Sequence, residues 1–172
     1  MKRRNHKMHA RYLAYGAIIA AMYAALTHLQ NILIPNSASM AVQFRASEAL
    51  CVLAFFTPAA VPGLTLGCAL FNLSFAGALP LDALVGSAAT LLATLAMRLT
   101  RKYPLVALSM PAVFNAILVG WELTAYIGGG FWLNALYVAI GEMAVCYTLG
   151  LLLYKVLKTR NLGARLFGEL SH

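Results

Sequence analysis

The sequence predicts an all-α membrane protein, a bundle of six transmembrane helices with both termini in the cytoplasm. Of its 172 residues, 62% are hydrophobic and 10% are charged, whereas soluble proteins have about 25% charged residues. The mean hydropathy is +0.77, and several apolar runs approach the about 20 residues that cross a bilayer. The chain divides into a basic N-terminus (1–11), one helical membrane domain (12–157) and a basic tail (158–172).

Composition and motifs exclude several functional classes. The net charge of +8 does not indicate nucleic-acid binding, because the basic residues stand at the ends of apolar runs, where they orient helices. The three cysteines (Cys51, Cys68 and Cys146) lie inside apolar runs without a C-x-x-C pair, and the four histidines have no ligand spacing. We therefore predict neither a metal site nor a cofactor. No P-loop or hydrolase motif occurs, so the chain is not predicted to be an enzyme.

The first predicted span, residues 12–34, is too long for the h-region of a signal peptide, which has about 7–15 residues. It carries Ala17, Ala21 and Ala25 at intervals of four. Such a face of small residues allows another helix to approach to backbone contact. The residues alone leave open whether this face packs inside the bundle or against another protein.

The stretch 41–72 contains two charged residues and an apolar run that is interrupted by proline and glycine. Arg45 and Glu48 stand one helical turn apart at the start of an apolar run, which Thr57-Pro58 and Pro62-Gly63 then break. Charged side chains and irregular backbone are costly in lipid and are tolerated where they line a polar cavity. The stretch therefore predicts a membrane-embedded polar site.

The basic residues predict that segment 46–76 crosses the membrane twice. With a cytoplasmic N-terminus, a single crossing would leave Arg98, Arg101 and Lys102 outside, against the positive-inside rule. Two crossings with a turn at 57–63 place every basic cluster in the cytoplasm and leave Arg45 as the external cation.

The remaining crossings are predicted at 81–99, 104–127 and 131–157. The first crossing of segment 46–76 is short. As an α-helix, Ser47–Phe56 would measure only about 15 Å, against a hydrocarbon core of about 30 Å. Short spans are common where a transporter builds its binding site, but an irregular helix packed within the bundle stays an alternative.

In this topology the polar side chains fall in the outer half of the membrane or at its midplane. Each charge there costs about 2.5–3.5 kcal/mol even on lenient scales, so the group predicts a polar cavity open to the outside. Its candidate residues are Arg45, Glu48, Asn72, Asp82, Asn115, Glu122, Asn134, Tyr137 and Glu142.

Several of these residues allow a second interpretation. Arg45 and Glu48 fit an internal ion pair as well as ligand contact, and the asparagines can bond across helices. Glu122 and Glu142 have no cation at their depth, which favours contact with a ligand, a proton or a partner. Trp132 fits an interfacial belt better than a stacking platform, and Asp82 fits a helix cap equally well.

Three segments carry a family resemblance. VQFRASEALCVLAFFTPAAVPGLTLGC (42–68), FNAILVGWEL (114–123) and FWLNALYVAIGE (131–142) resemble the QueT family, and the resemblance extends over 12–157. It implies a substrate-binding S-component of an energy-coupling factor (ECF) transporter, with six helices and cytoplasmic termini, in the plasma membrane of a prokaryote. The implied substrates are queuosine precursors, 7-deazaguanine bases such as the 7-aminomethyl form, or queuine. The implied partners are a transmembrane coupling subunit, which docks on Ala17, Ala21 and Ala25, and two ATPase subunits.

The resemblance also suggests roles for the polar residues. Glu122 and Glu142 would bind the guanine-like edge and the aminomethyl cation, in either order, and Asn72, Asn115 and Asn134 would bond the other polar edges. Trp132 or Tyr137 would supply a stacking face, and loop 35–45 would close over the ligand. The alternatives are an S-component for another vitamin or heterocycle, and a stand-alone carrier coupled to protons through Glu142.

Overall fold

A computed structural model of the chain describes residues 2–35, 37, 43–75, 78–79 and 81–168, with side chains from residue 8 onward. Within these ranges the regular structure is helical and no strand occurs, which confirms the predicted all-α class. The elements are α1 (Lys2–Leu33), a 3₁₀ helix (Ala46–Phe55), α2 (Ala60–Ser74), α3 (Asp82–Leu99), α4 (Pro104–Leu108), α5 (Met110–Tyr126), α6 (Phe131–Val145), a π-helical segment (Cys146–Gly150), α7 (Leu151–Thr159) and α8 (Leu162–Phe167).

Four helical stretches in the described ranges are long and apolar enough to cross a membrane. The 3₁₀ helix and α2 are shorter apolar helices between the first and second of these candidates. The chain is therefore a membrane protein by the length and composition of its helices, and the number of crossings stays a prediction. The four candidate spans are Met8–Leu33, Asp82–Leu99, Pro104–Tyr126 and Phe131–Thr159.

The interrupted stretch forms two separate helices, since the 3₁₀ helix ends at Phe55 and α2 begins at Ala60. The break is narrower than the predicted turn at 57–63. Pro62 lies in the first turn of α2, where the missing N–H of proline costs no helical hydrogen bond.

The 3₁₀ helix runs antiparallel to α1, and α2 then returns parallel to it. Ala46 N donates to Gln30 Oε1 at 2.7 Å near the C-terminal end of α1, whereas Tyr12 OH donates to Pro58 O at 3.4 Å near its other end. Ten residues of 3₁₀ helix rise about 20 Å at about 2.0 Å per residue. The element is thus longer than the α-helical estimate of about 15 Å.

Helices α1 and α2 pack at backbone distance through small residues. A Cβ at Gly63 would lie 2.7 Å from Gly16 O, and a Cβ at Gly67 would lie 2.7 Å from Ala20 O. This face of α1 is internal. The neighbouring face is exposed and consists of Ala17, Ala21 and Ala25.

The basic ends of α3 and α7 meet at one end of the bundle, which we call the basic end. Arg98 Nη1 donates to Ala54 O at 3.1 Å, which places the end of α3 beside the turn between the 3₁₀ helix and α2. The Phe55 and Tyr154 rings lie 5.0 Å apart, which brings α7 to the same end. The main hydrophobic core includes Leu64 of α2 and Met97 of α3.

Candidate functional site

Four of the five acidic residues of the chain are buried in its helices. Glu48 comes from the 3₁₀ helix, Asp82 from α3, Glu122 from α5 and Glu142 from α6. Arg45 is 4% exposed and interacts electrostatically with Glu48, Glu142 and Glu122, while Asp82 interacts with Glu122. We call these five residues the carboxylate cluster, and it sets four carboxyl groups against one guanidinium.

Glu48 is held by bonds within the protein. Tyr23 OH on α1 donates to Oε1 of Glu48, and Cys51 Sγ lies 3.1 Å from Oε2. One turn further along α1, Thr27 Oγ1 donates to Ser47 Oγ at 2.7 Å. Both carboxylate oxygens of Glu48 therefore have protein donors, which makes this residue a fixed part of the site.

Arg45 lies over the Phe71 ring, with its Cζ 5.8 Å from the ring centroid. Its Nη1 lies 3.8 Å from Cys68 Sγ. Gly86 on α3 leaves room here, since a Cβ at that position would lie 2.7 Å from Asn72 Nδ2 and 3.8 Å from Arg45 Nη1. The arginine is thus positioned by α2 and α3 and attracts Glu48; an internal ion pair between them stays a prediction.

Glu122 and Glu142 differ from Glu48. All four of their carboxylate oxygens are buried without a hydrogen-bond partner in the described structure, and so is Asn72 Oδ1. An unpaired buried carboxylate costs several kcal/mol, and such groups mark functional sites in membrane proteins. These oxygens are the acceptors that the site offers to something else.

Asp82 and Asn115 are further candidate residues that are buried. Asp82 Oδ2 accepts from Leu79 N at 2.6 Å, so it fixes the loop before α3 and does not cap its own helix. Asn72 Nδ2 donates to the Asp82 carbonyl at 2.8 Å, which ties α2 to α3. Asn115, 4% exposed, lies seven residues before Glu122 and shares its helix face.

The structure does not bring Trp132, Asn134 or Tyr137 into the cluster. Asn134 Nδ2 donates to Thr124 Oγ1 at 2.9 Å and to Gly128 O at 3.0 Å, which ties the turn between α5 and α6. Trp132 is 82% exposed and Tyr137 is 37% exposed. The exposure of Trp132 agrees with an interfacial belt.

Helix α6 passes into the π-helical segment one turn after Glu142. Single-turn π segments occur frequently at functional sites. A Cβ at Gly150, the last residue of this segment, would lie 3.6 Å from Val52 and 3.9 Å from Ala49 on the 3₁₀ helix. Two irregular helices therefore face each other beside the cluster.

The chain leading to Arg45 crosses α6 at backbone distance. A Cβ at Gly141 would overlap the carbonyl oxygen of Gln43. The residue Gln43 is itself buried, with 3% of its surface exposed. Gly141 precedes Glu142, so this contact places residues 43–45 beside an unpaired carboxylate.

Loop 35–45 is expected to close over the ligand, and residues 36 and 38–42 lie outside the described residues. The described part is tied to α1. Gln30 Nε2 donates to Ser37 Oγ at 2.9 Å and to the Phe44 carbonyl, and Phe44 N donates to Ser37 O at 3.0 Å.

Sequence reasoning missed Tyr23, Cys51 and Phe71 as parts of the site. Each stands inside an apolar run and looks like an ordinary core residue. The one available signal was the hydroxyl of Tyr23, because a buried tyrosine usually requires a hydrogen-bond partner.

A family model described as QueT transporter matches residues 13–159. The matched region contains every member of the carboxylate cluster. No curated protein and no solved structure matches the chain.

Proposed function

Because the chain belongs to the QueT transporter family, we propose that it is the substrate-binding S-component of an ECF importer. It captures a 7-deazaguanine queuosine precursor outside and delivers it inward when coupled to separate ATPase subunits. The observation that carries this proposal is the pair of buried carboxylates, Glu122 and Glu142, whose oxygens accept no hydrogen bond in the described structure and which belong to a cluster with a surplus of carboxyl groups.

The chemistry of the substrate suits this pair. A guanine-like edge presents adjacent N–H donors, and a carboxylate can accept two of them in the bidentate geometry of carboxylate–guanidinium pairs. The aminomethyl cation would neutralise the second carboxylate. The unpaired Asn72 Oδ1 is a further acceptor, and Asn115 lies on the face of Glu122. We assign substrate binding to Glu122, Glu142, Asn72 and Asn115. Arg45 and Glu48 form the framework that positions these residues.

The exposed residues of α6 have a smaller part in this proposal. Trp132 and Tyr137 are exposed and Asn134 is bonded within its own turn. Phe71, buried beneath Arg45, is an aromatic side chain beside the cluster that could flank a planar base.

The proposed topology has six crossings, with both termini in the cytoplasm of a prokaryote. The basic end holds Arg98 and the turn between the 3₁₀ helix and α2, and the positive-inside rule places such an end in the cytoplasm. Asp82 and the turn at Gly128 then lie toward the outside, and external substrate would reach the buried cluster from this end.

The coupling subunit would dock on the exposed alanine face of α1 (Ala17, Ala21 and Ala25). Small residues on a membrane-facing helix allow close approach of another helix. Two ATPase subunits would supply the energy, since the sequence contains no P-loop of its own.

The test is a calorimetric titration of the detergent-purified chain with 7-aminomethyl-7-deazaguanine, queuine, guanine and riboflavin. We expect binding of the deazaguanines and at least tenfold weaker binding in Glu122→Gln and Glu142→Gln, because each change removes one ligand acceptor. Glu169→Gln removes the same charge from the tail and serves as the matched control. Binding of riboflavin and of no deazaguanine would refute the proposed substrate class. Equally weakened deazaguanine binding in Glu169→Gln would refute the assigned site.

A second candidate is a stand-alone proton-coupled carrier with Glu142 as its relay. The burial of both Glu142 oxygens without a partner favours it, since such a carboxyl group can exchange a proton. Uptake that persists after deletion of the ATPase subunits would support the carrier, whereas co-purification with those subunits and loss of uptake on their deletion would support the importer.

A further inference from the structure

Two cavities adjoin at the basic end, where α8 packs against α1. The first has a volume of about 290 Å³ and is lined by two arginines, Arg11 and Arg165. The second has a volume of about 320 Å³ and an almost wholly apolar lining. Tyr15, Leu166 and Phe167 line both of them.

Specific contacts of α8 build this arrangement. Tyr15 OH donates to the Leu166 carbonyl at 2.8 Å, and the Tyr15 and Phe167 rings meet edge to face at 5.2 Å. Gly163 allows the close approach, because a Cβ at this position would overlap the ring of Phe56. The boundary between the two cavities is therefore a hydrogen-bonded and packed part of the fold.

The first cavity is suited to an anion. Two guanidinium groups line it, and among the lining residues that the structure describes none is acidic. Arginine presents a planar fork of N–H donors that matches a phosphate group in bidentate fashion. The net charge of the chain, +8, adds to the attraction.

The second cavity is suited to a hydrocarbon chain and opens toward the membrane. Ile18 and Met22 on α1 line it and are 55% and 44% exposed. Leu153 and Leu157 on α7 form another wall. A free anion would use only the first cavity, whereas a molecule with an anionic head and an acyl tail would fill both.

We propose that these cavities form a binding site for one anionic phospholipid of the leaflet at the basic end. Its phosphate lies between Arg11 and Arg165, and one acyl chain lies along Ile18, Met22 and Leu153. The site is separate from the carboxylate cluster and does not depend on which substrate the cluster binds.

The first test uses the delipidated full-length chain in a non-ionic detergent. It is titrated with phosphatidylglycerol or phosphatidylcholine of identical acyl chains, and bound lipid is counted by native mass spectrometry. We expect one phosphatidylglycerol to bind at least fivefold more tightly than phosphatidylcholine. Equal binding of the two lipids would overturn the proposal. It would also be overturned if glycerol 3-phosphate displaced phosphatidylglycerol at a concentration equal to that of the lipid, because the acyl chain would then add nothing to binding.

Variants locate the site. Arg11→Gln and Arg165→Gln should each weaken phosphatidylglycerol binding about fivefold, the contribution of one basic residue near an anionic surface. Arg160→Gln changes an exposed basic residue that does not line the cavity and should bind as the unmodified chain does. Equal losses in all three variants would show general charge attraction and refute a defined site.

The apolar half needs its own variant. Met22→Trp should fill the second cavity and weaken phosphatidylglycerol binding, whereas Leu29→Trp, at an exposed position further along α1, should not. Unchanged binding in Met22→Trp would exclude the assigned acyl-chain position.

Discussion

Tyr23 on α1 donates a hydrogen bond to Oε1 of Glu48 and so joins the first helix to the carboxylate cluster. The adjacent Thr27–Ser47 bond of 2.7 Å strengthens the same connection. Ala21 lies on the exposed face of this helix. One helix therefore carries both the proposed docking face and a direct bond to the proposed site.

Tyr23→Phe should destabilise the chain, because it leaves a buried oxygen of Glu48 without its donor. Removing one partner of a buried hydrogen bond costs about 1–3 kcal/mol. Thermal unfolding in detergent without ligand would measure the effect as a lower Tm. Tyr147→Phe is the control, since its hydroxyl bonds the Leu105 carbonyl at an exposed position. If both variants lost the same stability, the Tyr23–Glu48 bond would have no special role.

The unpaired carboxylates predict an opposite effect on stability. Glu142→Gln removes a buried carboxylate whose oxygens have no hydrogen-bond partner, from a cluster that sets four carboxyl groups against one guanidinium, so the ligand-free chain should be as stable or more stable, by up to several kcal/mol. Glu48→Gln should destabilise the chain, because the amide would present donors to Tyr23 or Cys51, which already donate there. Comparison of the two melting curves without ligand checks this. A large loss of stability in Glu142→Gln would mean that its carboxylate is a structural group and not a ligand acceptor.

Gly141→Ala should disturb the path of the chain to Arg45. The added methyl group would overlap the Gln43 carbonyl, and overpacking of this kind costs about 1–3 kcal/mol. We expect a lower Tm and weaker ligand binding, measured by unfolding and by titration. Gly130→Ala adds the same methyl group where no atom lies within 4 Å and should leave both quantities unchanged. Normal binding in Gly141→Ala would show that the position of residues 43–45 does not matter for the site.

The sequence predicts much of this site because charges in lipid are rare and costly. Arg45, Glu48, Glu122 and Glu142 were identified on that ground, and the structure gathers them with Asp82. Depth alone cannot tell which side of a helix faces inward. Trp132 lies near the same depth as Asn134 but on the outer side of its helix, where its side chain is exposed. Its depth could not predict this.

The irregular helices were harder to predict. Segment 46–55 has an ordinary apolar composition, and no local rule distinguishes its 3₁₀ form from an α-helix. The π-helical segment at Cys146–Gly150 also has no sequence signature. The two segments pack against each other, with Gly150 close to Val52, and tertiary contacts of this kind can override local preference.

The two small-residue faces of α1 should respond differently to enlargement. Ala20→Leu should destabilise the chain, because Ala20 lies against Gly67 of α2 and overpacking there costs about 1–3 kcal/mol. Ala21→Leu changes an exposed position, so folding and ligand binding should persist while co-purification with the coupling subunit is lost. Melting curves and co-purification measure the two effects. Retained co-purification in Ala21→Leu would remove this face from the proposed interface.

Cysteine labelling should show that residues 8 and 102 lie on the same side of the membrane. Two crossings by the 3₁₀ helix and α2 require this, whereas one crossing by segment 46–76 would put them on opposite sides. In intact cells, a membrane-impermeant maleimide should label Gly129→Cys, and should label Met8→Cys and Lys102→Cys only after permeabilisation. The chain with its three native cysteines, all buried, gives the background. Labelling of Lys102→Cys in intact cells, with Met8→Cys protected, would show an odd number of crossings between these positions and exclude the six-span topology.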